Sequence, residues 1–303
     1  MKLGLLTAAL PSATLEEVAR WAGESGFEML EIACWPAGKA ERRYAGVSHI
    51  DVANLDAAGA KQINALMRDN GLAISSLAYY PNPLSADQAR NEAAIAHLKK
   101  VIDAAALLEV EIVGTFIGAD QQKSAAENLE AFARVWPPIV RYAGERGIKI
   151  AIENCPMLWD DTWPGGSNVA YSPAIWRRMF ETIPDDNFGL NFDPSHLVWQ
   201  FIDYLRPIQE FKDRIFHVHA KDMEINREML YQDGILGCGF RWAIPRLPGL
   251  GEVRWDRFIA ALYAAGYDFV VSIEHEDRKF EGTEELVKRG FYLSRDVLKP
   301  YIV

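Results

Sequence analysis

Phe188-Gly-Leu-Asn-Phe-Asp-Pro-Ser-His196 is an apolar, strand-like run that ends in Asp193, with a histidine three residues further on behind a proline. Three other segments end alike: Ile148-Lys-Ile-Ala-Ile-Glu153, Arg214-Ile-Phe-His-Val-His219 and Phe269-Val-Val-Ser-Ile-Glu274. Each is short and rich in β-branched or aromatic residues, as strands are. Each closes on a side chain able to ligate a metal. Four separate strands with such tips need one shared reason.

Outward from these four, the chain alternates strand and helix. A strand at Leu3–Leu6 is followed by a helix over 14–25, opened by the capping box Thr14-Leu-Glu-Glu17. Phe27–Ile32 is the second strand, a helix from about Leu55 to Asn70 follows, and Leu72–Tyr79 is the third strand. Residues 85–109 have helical spacing, Glu111–Phe116 is the fourth strand, and a helix over 122–146 is expected to bend or break at Pro137-Pro138. Helices over 172–182, 203–212, 254–265 and 283–299 follow the fifth to eighth strands. Eight β/α units without a repeat, linker or low-complexity stretch predict an α/β fold, a (β/α)8 barrel, with residues 1–303 as one domain. A doubly wound open sheet is the runner-up, and the lack of a Gly-rich phosphate loop counts against it.

The barrel gives the strand tips their meaning. Side chains alternate along a strand, so Asp193 and Asn191 face the interior together, as do Glu274 with Ser272 and Glu153 with Ala151. Strand C-termini of a barrel open on one face, where active sites sit. Glu153, Asp193, His219 and Glu274 are therefore expected to converge. Three carboxylates and an imidazole make a hard, mostly oxygen site suited to Mn²⁺ or Mg²⁺, with Co²⁺ and Zn²⁺ admitted through the histidine.

Composition sets limits on partners. The net charge of −10 argues against a surface built for nucleic acid or anionic membranes. Cys34, Cys155 and Cys238 have no metal or redox spacing, which fits a reducing, cytoplasmic setting. Met1–Leu10 faintly imitates a signal peptide, but a strand followed by a capped helix is the better reading. No apolar run reaches membrane-spanning length.

The motifs Ile-Glu-Asn (152–154), Asp-Pro-Ser-His (193–196), His-Ala-Lys-Asp (219–222), Ile-Glu-His (273–275) and Pro248-Gly-Leu-Gly-Glu-Val-Arg-Trp255 complete the pattern. Together they resemble the sugar phosphate isomerase/epimerase superfamily with a xylose isomerase-like barrel, and its D-tagatose 3-epimerase branch most closely. The resemblance spans nearly the whole chain. It implies that Glu153, Asp193, His219 and Glu274 hold a divalent metal, Mn²⁺ first, that Glu153 and Glu274 double as acid and base, and that His196 holds a substrate oxygen. Physically, removal of a proton next to a ketone gives an enediolate. Its reprotonation gives an epimer or an isomer, and loss of a β-substituent gives elimination. The expected activity is isomerisation or epimerisation of a keto-sugar or related polyol. The alternative is a lyase on 3-oxo-glycosides like C-glycoside deglycosidase catalytic subunits, with a homo-oligomer or a partner subunit in view. Apurinic-site nucleases resemble the same barrel but need extra histidines, and among the six here Tyr79, Phe116 and residues 223–250 offer none.

Other residues carry weaker expectations. Lys221 and Glu31 are candidate substrate contacts, with ion pairs as the competing role, and Asp222 shares the choice. His217 is expected beneath His219, about 6–7 Å deeper. His49 and His97 read as surface residues, and His275 should point away from the site. Two long segments, 154–171 with Trp159, Trp163 and Gly165-Gly166, and 223–250 with Arg227, Arg241 and Trp242, read as lids or binding walls. Their aromatic residues suit a sugar ring, an aromatic aglycone or another subunit.

Overall fold

The computed structural model describes residues 1–38, 44–158, 166–237 and 240–303. Eight parallel strands close a barrel: β1 (Lys2–Leu6), β2 (Met29–Ala33), β3 (Ala73–Ala78), β4 (Ile112–Thr115), β5 (Lys149–Glu153), β6 (Phe188–Phe192), β7 (Ile215–Ala220) and β10 (Val270–Ile273). They follow chain order around the barrel, with β10 closing between β7 and β1. Outward-facing Ile150, Ile152, Leu190, Phe192, Val271 and Ile273 are fully buried beneath the surrounding helices. The expected alternation therefore holds, because a strand packed on both faces must send its large apolar groups to the helix layer.

The helices are α1 (Leu15–Glu24), α2 (Ala57–Asp69), α3 (Gln88–Leu107), α4 (Ala125–Gly144), α5 (Pro173–Thr182), α6 (Ser195–Val198), α7 (Arg206–Glu210), α8 (Arg227–Asp233), α9 (Trp255–Ala264) and α10 (Glu284–Leu298). The capping box at Thr14 and Glu17 forms as read. The prolines of α4 do not interrupt it: the helix runs through Pro137 and Pro138. Phe132, Trp136 and Ile139, all buried against the barrel, hold both sides of the prolines, and that packing outweighs the lost hydrogen bonds. The helix expected over 203–212 is only one turn, α7, followed by a 3-10 turn at Lys212–Arg214.

Residues 223–250 also differ from a plain loop. After β7 the chain enters β8 (Asp222–Ile225), passes through α8, and returns as β9 (Ala243–Arg246) in an antiparallel ribbon. Asp222 fastens this excursion. Its Oδ1 accepts from the backbone N–H groups of Met223 and Val253, both 2.9 Å, and its Oδ2 from Gly249 N–H at 3.0 Å and Trp255 Nε1 at 2.9 Å. A Cβ on Gly251 would lie 2.3 Å from that carboxylate, so the Pro-Gly-Leu-Gly run is shaped around a buried acid. Asp222 is a structural anchor and does not reach the site.

Candidate metal and proton-transfer site

Four strands bring the predicted residues to one end of the barrel. Glu153 ends β5, Asp193 follows β6, His219 lies near the end of β7, and Glu274 follows β10. Asn154 locks two of these ends together: its Oδ1 accepts from Asp193 N–H at 2.8 Å and its Nδ2 donates to the Asp193 carbonyl at 2.9 Å. The side chains converge. Donor atoms of Glu153, Asp193, His196 and Glu274 lie within 4.8 Å of one another. His219 Nδ1 is 3.5 Å from Glu153 Oε1 and 3.4 Å from Glu274 Oε2.

Glu153 Oε1, Asp193 Oδ2, His196 Nε2 and His219 Nδ1 are all buried and make no hydrogen bond within the protein. Buried polar atoms are nearly always hydrogen-bonded, so four that face one another and Lys221 without forming such a bond fit a cation-binding donor set. Three carboxylates with one or two imidazoles fit a hard divalent ion. Either His219 or His196 is placed to complete the set.

Lys221 enters the same cluster from the end of β7. Its Nζ lies 2.5 Å from Glu274 Oε2, 3.1 Å from Asp193 Oδ2, 3.2 Å from Glu276 Oε2 and 3.8 Å from Glu153 Oε1. Burial works against the charges on Lys221 and His219, yet the acids outweigh it. Asp193 and Glu274 hold Lys221, and Glu31 and Glu274 hold His219, protonated well above their usual ranges. In turn, burial would raise Glu274 and Glu153. Lys221 keeps Glu274 below the carboxylate range, and the His196 and His219 rings do the same for Glu153.

Beneath the cluster runs a polar network that sequence reasoning only partly anticipated. Glu31 is fully buried, with Oε2 accepting from His219 Nε2 at 2.8 Å and Ser272 Oγ at 3.0 Å, and Oε1 from Tyr80 OH at 2.6 Å. Both oxygens are taken by the protein, so the expected sugar contact at Glu31 gives way to the competing ion-pair role. The histidines beside it hold its pKa at about 2, although burial opposes them. His217 lies below His219 as expected, bonded through Nδ1 to Asn191 Oδ1 at 3.0 Å and through Nε2 to Ser75 Oγ at 3.1 Å. Burial pushes its pKa down to about 4. Gly114 makes room for the network: a Cβ there would meet Tyr80 Oη at 2.5 Å.

Above the cluster opens a cavity of about 810 Å³ whose floor includes Glu153, His196, Lys221 and Glu274. Its walls include Trp35, Phe116, Met157, Trp199 and Phe240. The ribbon supplies one wall, and Arg246 ties it to the loop after β10 through Asp277, 3.2 Å away. The sequence reading missed Arg246, Glu276 and Asp277, whose only signal was a run of charges after Glu274. Trp242 does not face the cavity, being packed at 1% exposure against Trp199, Phe201 and Phe240. Arg227 pairs with Glu252 and Arg241 with Asp233. Trp159, Trp163 and Gly165 lie outside the described residues, as does Cys238.

Two surface assignments need correction. His49 is half-buried, its Nε2 within 3.2 and 3.1 Å of the Leu10 and Ala13 carbonyls. His97 Nε2 sits 2.8 Å from the Cys34 carbonyl. Both lie on helix or loop faces whose polar neighbours resemble surface in sequence, but they satisfy carbonyls at the barrel rim. His275 does turn away, packing on Phe291. Among the described residues no helix is long and apolar enough to cross a membrane.

Comparison with known proteins bears on the fold. YfiH of Bacillus subtilis, an uncharacterized protein, is 29% identical over 163 residues, covering 47% of this chain and 45% of that protein. Inosose dehydratase of Geobacillus thermodenitrificans is 29% identical over 132 residues, 42% of this chain and 44% of that enzyme. The chain thus spans less than half the length of these curated relatives. The structure of D-psicose 3-epimerase with D-tagatose, from Clostridium cellulolyticum H10, superposes with a TM-score of 0.69 at 16% identity, covering 100% of this chain and 99% of that one. A family model described as a xylose isomerase-like TIM barrel matches residues 19–296, and the chain belongs to that family.

Proposed function

We propose that the protein is a divalent-metal-dependent enzyme that moves a proton beside the carbonyl of a keto-sugar or related polyol, with isomerisation or epimerisation as the outcome. The observation that carries this is the pair Glu153 and Glu274 on one cavity floor, on either side of His219 Nδ1, with unpaired donors converging between them. Glu153, Asp193, His219 and Glu274 would hold the ion, Mn²⁺ by preference, and it supplies electrophilic polarisation of the carbonyl.

The remaining chemistry belongs to the chain. Lys221 and His219 keep Glu274 ionised despite burial, so it stands as a carboxylate ready to accept a proton. Glu153 enters from β5, separated from β10 by β6 and β7, so it approaches the cavity from a different part of the barrel end. One glutamate takes the α-proton and leaves an enediolate; it hands the same proton back to the adjacent carbon, or the other glutamate, after taking up a proton from solvent, delivers that one to the opposite face. His196, buried beside Glu153 and Asp193 at 3.4 Å from each, positions a substrate oxygen. The apolar walls exclude water from the intermediate.

A second reading, β-elimination from a 3-oxo-glycoside or a related keto-polyol, has its own support. At about 810 Å³ the cavity lies toward the upper end of the ~300–1,000 Å³ of ligand pockets, roomy for one sugar ring. Its outer wall is aromatic, and a dehydratase is among the relatives.

Proton exchange in D₂O tests both. The Mn²⁺-loaded protein, with a chelated control, is offered ketohexoses, inososes and 3-oxo-glycosides. Metal-dependent deuteration beside the carbonyl supports the proton-transfer reading, and a sugar product or a released substituent then separates the two outcomes. Glu153→Gln and Glu274→Gln should each abolish exchange while the circular dichroism spectrum stays unchanged. Full exchange in either variant would refute the assignment of acid and base.

A further inference from the structure

We propose that Glu31 decides which nitrogen of His219 faces the cavity as a lone-pair donor, and so acts as a positioning residue for metal capture. The proposal rests on the metal-site reading above.

His219 Nε2 has two competing neighbours. Glu31 Oε2, 2.8 Å away, can only accept, and so requires a proton on Nε2. Asn191 Nδ2, 2.9 Å away, can only donate, and so requires a lone pair there. The orientation of the Asn191 amide follows from its other partners. Tyr80 gives its proton to Glu31 Oε1 at 2.6 Å, so its oxygen needs a donor, which Asn191 Nδ2 supplies at 2.9 Å. Asn191 Oδ1 then accepts from His217 Nδ1 at 3.0 Å. The carboxylate bond is charge-assisted and roughly twice as strong as a neutral one, so Glu31 prevails. Without a metal the surrounding acids favour a proton on both nitrogens; when a cation displaces one, it is the Nδ1 proton that leaves, so that Nε2 keeps its proton and Nδ1 turns its lone pair toward Glu153 and Glu274.

Remove the carboxylate and Asn191 prevails instead. The proton then moves to Nδ1, where it points into the donor set and blocks it. Ring orientation is coupled to the same contacts, because Ser272 of β10 and Tyr80, just beyond β3, brace Glu31, and β3 carries an extra residue, Ser75, opposite the Leu30/Glu31 step.

Glu31, His217 and His219 could themselves be taken for a second metal group. Their geometry argues otherwise. Tetrahedral ligands about 2.0–2.1 Å from an ion stand about 3.3 Å apart, whereas Glu31 Oε2 and His219 Nε2 are 2.8 Å apart, a hydrogen-bond separation.

The test reads metal binding and ring nitrogens rather than turnover. In ¹¹³Cd-loaded wild type, ¹⁵N spectra should show His219 coupled to the metal through Nδ1 with the proton on Nε2. Titration with Mn²⁺ followed by electron paramagnetic resonance should give about 10–100-fold weaker binding in Glu31→Leu, and a smaller loss in Glu31→Gln. Tyr80→Phe leaves the Glu31–His219 bond in place and should bind Mn²⁺ nearly as wild type does. Unchanged affinity in both Glu31 variants, or cadmium coupling through Nε2, would overturn the proposal while leaving the site intact. A wild type that binds no Mn²⁺ would remove the metal-site reading and this proposal together. If Glu31→Leu does not fold, the wild-type nitrogen spectrum alone decides.

Discussion

Lys221 is the most informative single side chain to remove. The residue is 1% exposed, and its ammonium stands 2.5, 3.1, 3.2 and 3.8 Å from Glu274, Asp193, Glu276 and Glu153. Replacing it by methionine keeps the stem but leaves those acids without their shared buried lysine. Breaking a buried ion pair by deleting one partner costs about 3–5 kcal/mol. Glu276 is 23% exposed on its side chain and can recover some hydration, which favours the lower half of that range. An unfolding entropy of roughly 2.1 cal/mol/K per residue over 303 residues is about 0.64 kcal/mol/K. The melting temperature of metal-stripped Lys221→Met should therefore fall by about 5–6 °C.

A divalent ion would supply the missing positive charge. Mn²⁺ at a hundredfold excess over its Kd adds about 2.7 kcal/mol to either protein by mass action, and removal of a competing cation should give the variant the larger gain. The assay is differential scanning calorimetry of both proteins, chelated and loaded. An equal drop with and without Mn²⁺, or none in the chelated protein, would refute the view that Lys221 neutralises this cluster.

Three further perturbations probe the scaffold. Asp222→Ala leaves the N–H groups of Met223 and Val253 and the Trp255 indole buried without their acceptor, at about 1–3 kcal/mol each with incomplete additivity. A loss of roughly 3–5 kcal/mol in denaturant titration should accompany faster amide exchange across residues 243–253. Gly114→Ala puts a Cβ 2.5 Å from Tyr80 Oη, and about 1–3 kcal/mol of overpacking should appear as a lower denaturation midpoint. His49 has its pKa lowered from 6.5 by burial, so the unfolded chain takes up the proton first. The stability this imidazole contributes is complete above about pH 6.5 and declines as pH falls toward the folded-state value. Thermal melts from pH 7.5 to 5 should show a shallower slope in His49→Gln than in wild type.

The sequence made the barrel legible because periodicity reports which face of a strand is buried. Glu153, Asp193 and Glu274 could be placed on the interior from their neighbours alone, and His217 could be ranked below His219 by the two-residue repeat. What it hid was contact made through register rather than composition. Glu31 reads in sequence as the tip of a strand, like the catalytic candidates, but β2 runs on to Ala33, and its bonds to His219 and to Tyr80, just beyond β3, show it beneath His219. Asp222 sits one residue from Lys221, yet alternation sends the two to opposite sides, one into the acid cluster and one into the ribbon's anchor. The prolines of α4 read locally as a bend or an interruption, and packing against the barrel kept the helix continuous.

The fate of the substrate is set above the floor rather than on it. Proton removal beside a carbonyl is common to isomerisation, epimerisation and elimination, so the strand-end ligands constrain the first step and leave the second open. The second depends on which group meets the intermediate. A returned proton needs Glu153 or Glu274 at the carbon, whereas a departing β-substituent needs a donor at its oxygen and room to leave. Lys221, held between Glu274 and the partly exposed Glu276, is a cation at the edge of the acids and lines the cavity. The aromatic wall of Trp199 and Phe240 lies on the same cavity. If elimination is the reaction, truncating that wall through Phe240→Ala should raise KM for substrates with bulky apolar leaving groups by about 10-fold or more, matching ~1.4–3 kcal/mol of lost burial, and should spare small ketoses. Equal loss on both substrate types would place the wall in the fold of the ribbon and return the assignment to isomerisation.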